Sequence, residues 1–236
     1  MNPMVFVIVL ALVVMLAITL AIRASASAKR RTAALQAFAQ ENGLDFAGEN
    51  PTRTIDVHTA LFDRGSSRRF RNIMNGKWGG LEVSLFDYQY TINTGESLAT
   101  ITQTVAAFVQ NVSLPWFELR PEGFMDRVGE VFVHRDIDFD SNPVFSRRYM
   151  LRGKDQDAVR ALFVPALLSY MEMLPAGDQL HIEAEGFTLL FYRAQAQVPA
   201  ENMRSFLEEM SGVAGTFLSS CGKPGSSGQV LENSAH

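Results

Sequence analysis

The sequence predicts an α+β protein: an N-terminal transmembrane helix followed by an antiparallel-sheet domain with helices mostly on one side. Three observations predict it. Nineteen consecutive residues, Met4 to Ile22, carry no charge and a single hydroxyl, Thr19. Between residues 70 and 119, runs rich in Val, Ile, Thr and aromatics are separated by short turn signals, the pattern of strands joined by tight connections. From Pro199 onward, apolar residues recur three and four positions apart, the period of an amphipathic helix.

The apolar run comes first. As a helix it spans roughly 30 Å, the thickness of a bilayer's hydrocarbon core. Arg23, Lys29, Arg30 and Arg31 follow it directly, and no acidic residue occurs before Glu41. Positive flanks stay on the cytoplasmic side. The expectation is a single span at 4–22 with a very short outer N-terminus, 1–3. The rest of the chain then lies in the cytoplasm, at an inner membrane. The alternative is a cleaved secretory signal, with the small residues at 24–28 as the cleavage site. Such a signal wants positive charge ahead of a shorter apolar core, and here no Lys or Arg precedes Arg23.

Charge narrows the partners. The chain carries −4 overall, and beyond residue 31 it holds 17 basic against 25 acidic residues, a net charge of −8. Phosphate repulsion opposes nucleic-acid binding by such a domain. The basic collar suits topology and anionic headgroups instead. Cys221 is the single cysteine, so no intrachain disulfide forms.

Along the chain, the collar and the helix it enters occupy 23–43: Ala33, Ala34 and Ala37 favour helix, and Gly43 stops it. The globular domain is expected over 44–222. Residues 51–58 read as irregular and 60–62 as a helical turn. Strands are expected at 70–77 and 81–92, joined at Trp78, Gly79 and Gly80, then at 99–109 and 116–119, making a four-stranded meander. Pro121 and Glu122 begin a short helix with Phe124, Met125 and Val128 on one side. Residues 131–133 read as a brief strand and 145–151 as a longer one. Asp155 caps a helix that Pro165 kinks or restarts, with its continuation at 166–174. Gly186 centres a hairpin of 180–185 and 187–193. The helix after Pro199 should bury Phe206, Leu207, Met210 and Phe217, and Gly222 and Pro224 end it. Residues 223–236 read as a flexible tail.

Few residues point to chemistry. Asp136, Asp138 and Asp140 open like a calcium loop, but the sixth position is Ser141 rather than glycine and the twelfth is Arg147 rather than glutamate. They are a weak metal candidate, better read as solvated carboxylates on an extended segment. His58, His134, His181 and His236 lack metal-ligand spacing. Phosphate-loop, dinucleotide and nucleophile-elbow motifs are missing, so no cofactor is expected. The arginines form the more suggestive set: Arg64, Arg68, Arg69 and Arg71 around a Gly-Ser-Ser turn, Arg147, Arg148 and Arg152 together, and Arg120 and Arg193 elsewhere. They either bind an anion or pair with acids such as Asp63, Asp87, Glu118 and Asp155.

As a set, Phe86-Asp87-Tyr88-Gln89-Tyr90, the run from Leu114 to Glu122, Asp136-Ile137-Asp138-Phe139, Phe145 to Tyr149 and Leu151-Arg152-Gly153 resemble a family of uncharacterised bacterial proteins. Those proteins have one N-terminal membrane anchor and a cytoplasmic α+β domain. The resemblance covers about residues 35–210. It implies that architecture and carries over no activity. The expected role is a membrane-tethered cytoplasmic interaction or scaffold domain, whose partners are the lipid bilayer and another membrane or cytoplasmic protein. The alternative is a membrane-associated hydrolase or lipid-handling enzyme using Asp87 or Asp136 with an arginine.

Overall fold

The computed structural model describes residues 3–49, 59–95, 97–123, 136–175 and 177–221. Helix α1, Pro3–Glu41, runs unbroken for 39 residues from the apolar segment into the domain. The described large apolar side chains between Met4 and Ile22 are 48–71% exposed, and the helix is long and apolar enough to cross a membrane. Alanine-rich sequence sustains it through the collar. It ends in a Schellman motif: Leu44 N–H donates to Ala39 O at 2.8 Å and Gly43 N–H to Gln40 O at 3.4 Å. Gly43 has φ +68°, the left-handed conformation this cap needs.

Among the described residues six strands form one antiparallel sheet: β1 Asp45–Gly48, β2 Ser66–Trp78, β3 Leu81–Asn93, β4 Leu98–Pro121, β5 Tyr149–Gly153 and β6 Leu180–Arg193. The order is β1-β2-β3-β4-β5, with β6 also on β4. β4 is 24 residues long. Its one edge takes β3 along 98–109 and then β5 along 117–121, while β6 runs down the other. Gly79 and Gly80, both at positive φ, join β2 to β3 in the two-residue turn that suits a twisted hairpin.

The helices are α2 Ala60–Asp63, α3 Pro143–Arg148, α4 Gln156–Leu162, α5 Pro165–Met173 and, after a 3-10 turn at Ala200–Asn202, α6 Met203–Cys221. Asp155 caps α4 by accepting from Ala158 N–H at 3.0 Å. All except α2 place their buried apolar residues in one core on one sheet face. Leu35 and Ala39 of α1, Phe163 after α4, and Phe206, Leu207, Met210 and Phe217 of α6 meet Phe108, Phe117 and Phe191 there. The other face carries a smaller aromatic core in which α2 covers Phe86, Tyr88 and Tyr192.

Four elements differ from expectation. The two strands at 99–109 and 116–119 are one strand, because the pairing of β4 with β6 continues across an irregularity between Val109 and Phe117. The hairpin around Gly186 is likewise one strand: Gly186 (φ +58°) pairs with Leu114 at that irregularity, so it bends β6 instead of reversing it. The strand at 145–151 is helix α3 followed by β5, because Pro143 occupies the first helical turn, where its missing N–H is harmless. Pro121 ends β4 rather than starting a helix. The expected helix at 124–128, strand at 131–133, irregular segment 51–58 and tail 223–236 lie outside the described residues.

Candidate functional site

Polar chemistry gathers where α1 meets the sheet. Asp87 on β3 is 2% exposed and accepts four hydrogen bonds. Arg31 donates from Nε at 2.8 Å and Nη2 at 2.7 Å, Asn72 Nδ2 at 2.8 Å and Thr104 Oγ1 at 3.0 Å. Arg31 also donates to Val198 O at 2.7 Å, and Thr32 Oγ1 donates to Asn72 Oδ1 at 2.8 Å. A buried charge persists only when paired and hydrogen-bonded, and Asp87 meets that condition on every side. Two residues beyond Leu85, it shares that residue's face, the helix side of the sheet, while Phe86 and Tyr88 point to the other, which is why α1 can reach it.

Beside this clamp lies an open groove of about 750 Å³ between α1 and the sheet. Helix α1 walls it from Ala24 to Gln36, with the small side chains of Ala24, Ser25 and Ala28 at one end, and Asn72, Asp87, Gln89 and Thr102 line it from the sheet. Arg71 and Glu49, also lining it, pair at 3.1 Å.

A second polar cluster is sealed in the opposite core. Glu118 and Glu183 face each other across β4 and β6, an arrangement that repels unless compensated. Arg64 Nη2 pairs with Glu118 Oε1 at 2.9 Å. Tyr192 Oη donates to Glu183 Oε1 at 2.5 Å and Leu61 N–H to Glu183 Oε2 at 2.9 Å. The His181 ring stacks on Tyr192 with centroids 4.8 Å apart. Burial, helped by the positive charges of Arg64 and Arg120, holds the His181 pKa well below the ordinary imidazole value. Burial, with Glu183 adding to it, pushes the Tyr192 phenol up.

Of the collar, Arg23, Lys29 and Arg30 are exposed on α1, whereas Arg31 turns onto the sheet. The candidate arginines disperse. Arg68 donates to the carbonyls of Asp63, Arg64 and Gly65, and Arg148 to those of Glu172, Leu174 and Pro175. Arg152 pairs with Asp136 at 3.2 Å, and Arg193 with Asp178 and Glu209 at 2.9 and 3.0 Å. Asp136, Asp138 and Asp140 lie on an extended segment and a turn, with all three side chains exposed. Ile137 N–H donates to Leu151 O and Arg160 Nη1 to Asp138 O, so that segment is pinned along β5. Among the described residues no group of three or more His, Cys, Asp or Glu is placed to hold a metal ion.

Sequence reading missed Arg31, Asn72 and Thr104 as partners of Asp87, Thr32 as the partner of Asn72, and the enclosure of Glu183, His181 and Tyr192. The available signal was a charged residue inside an aromatic strand, Phe86-Asp87-Tyr88, facing the side that a helix covers.

No protein-family model and no curated protein matches the chain. Among solved structures it is similar to the crystal structure of the mycobacterial trehalose monomycolate transport factor A, TtfA, with a TM-score of 0.56 and 16% sequence identity, over 81% of this chain and 92% of that one. At that identity the likeness is one of fold, and it extends over most of both chains.

Proposed function

We propose that the chain is a membrane-tethered interaction domain, held by α1 in an inner membrane with residues 23–236 in the cytoplasm. The observation that carries this reading is the Arg31–Asp87 clamp on an unbroken α1. A flexible linker would let the domain swing; a continuous helix bonded to the sheet holds its orientation relative to the bilayer. Fixed orientation is what a scaffold beside membrane partners uses. The acids considered for catalysis support the same reading. Asp87 accepts from four donors, about the lone-pair capacity of a carboxylate, and Asp136 is paired with Arg152. The fold shared with a protein described as a transport factor supports an accessory role of that kind.

The test is alkaline extraction of native membranes followed by affinity capture of the full-length protein. The reading expects the chain to stay with the membrane and to retain a defined protein partner, lost in the Arg31→Ala variant. Release by alkali, or a partner held equally well by Arg31→Ala, overturns it.

A further inference from the structure

The groove beside the clamp opens, at its end nearest the apolar span, at a depth that lipid headgroups occupy. Its helix wall runs from Ala24 to Gln36, and the end nearest the apolar span, Ala24 to Ala28, is about 3–9 Å beyond Ile22 along the helix axis. The headgroup layer of one leaflet is roughly 5–8 Å thick. Small side chains on this wall leave the space open. Three cationic side chains (Lys29, Arg31, Arg71) and two anionic ones (Glu49, Asp87) line the groove, for a net charge of +1. Gln89 and Thr102 add uncharged groups that donate and accept hydrogen bonds. The wall continues upward: Ile18, Ile22, Ser25 and Lys29 are spaced four, three and four residues apart, one face of a helix. A shallow apolar depression at Ile18, Ala21 and Ile22 shares Ser25 and Lys29 with the groove.

We infer that this groove binds the headgroup of one membrane lipid, a monoanionic phosphodiester bearing hydroxyls, with an acyl chain lying along Ile18, Ala21 and Ile22. Lys29 meets the phosphate charge. Gln89 and Thr102 meet the hydroxyls, and the ordered Asp87–Arg31 pair forms the floor. The site rests on the tether reading, since it requires α1 to place Ile22 at the hydrocarbon edge. A soluble phosphate ester would match the polar half and leave the apolar depression unused, so the occupant is a lipid.

The test places full-length protein in nanodiscs of phosphatidylcholine mixed with phosphatidylglycerol or phosphatidylinositol, then counts retained lipids by native mass spectrometry after transfer to detergent. One anionic lipid should be retained above its share of the disc. Lys29→Gln should lower that retention about fivefold, the factor expected for one basic residue near an anionic lipid. Arg23→Gln removes the same charge outside the groove and should leave retention unchanged. Ala28→Trp, which fills the groove from an exposed helix position, should abolish retention. Equal losses in Arg23→Gln and Lys29→Gln would reduce the effect to general attraction by the collar and overturn the site, as would retention without preference for the anionic lipids. A chain that does not enter the discs overturns the tether and the site together.

Discussion

Arg31 and Asp87, 56 residues apart in sequence, form two parallel hydrogen bonds of 2.8 and 2.7 Å that fasten α1 to the middle of the sheet. The two ends are unequal: the Asp87 side chain is 2% exposed and that of Arg31 17%. Removing the arginine strands a buried carboxylate, which costs about 3–5 kcal/mol. Arg31→Ala should therefore lower stability by that amount. Arg31→Lys keeps the charge but not the fork, and should recover only part of it. Urea unfolding of the full-length protein in detergent, followed through Trp78 and Trp116 fluorescence, reads both. A loss below about 1 kcal/mol for Arg31→Ala would show that the clamp contributes little.

Phe217 of α6 is fully buried, stacked on Phe117 at 5.6 Å and edge-on to Phe163 at 5.5 Å. Phe217→Ala removes both contacts and opens a cavity that neighbouring strands cannot close. The expected loss is about 3–5 kcal/mol in the same urea assay. A loss under about 1 kcal/mol would mean that α6 peels away from the sheet at its C-terminal half and presents that face to a partner.

These two sites differ in how far the sequence disclosed them. The α6 stripe was legible because a 3.6-residue period repeats over several turns, and its burial follows from having a sheet to cover. The clamp was not, because pairing Arg31 with Asp87 needs the position of α1 over β3. No local pattern encodes that, and a basic residue after an apolar run has a sufficient explanation in topology. The two longest strands each read as a pair of shorter ones for a related reason. Asn111, Val112 and Ser113 in β4 and Gly186 in β6 look like punctuation when each strand is taken alone. In the sheet they lie at the same bend, where Leu114 pairs with Gly186. Two apparent breaks are one coordinated irregularity, visible only once the strands are paired.

Orientation is tested independently of stability. With Arg23, Lys29, Arg30 and Arg31 after the span, the domain should lie in the cytoplasm. A reporter fused after His236 that is active only outside the cytoplasm should stay silent, while one active only inside should signal. The opposite pair of results would reverse the orientation and with it the inner-leaflet position of the groove.

His181 gives a pH dependence whose sign can be worked out. Its ring is fully buried against Tyr192, with the Glu183–Tyr192 hydrogen bond at its side and Arg64 and Arg120 adding positive charge. Desolvation and those two arginines keep the folded-state pKa well below the ordinary 6.5. As pH falls through about 6.5 the unfolded chain binds a proton at this position and the folded chain does not. Stability contributed by the neutral ring is thus complete above that pH and is lost below it, by up to about 1.4 kcal/mol per pH unit. Replacing His181 with Phe keeps an aromatic ring against Tyr192 and removes the proton. Urea midpoints measured from pH 7.5 to 5 should fall less steeply in His181→Phe than in the unaltered protein, by about one proton's worth of slope. The chain has three other histidines, so the difference between the two slopes is the quantity that isolates His181. Parallel slopes would mean that the ring takes up its proton in the folded state, and that the cluster around Glu118 and Glu183 accommodates the added charge.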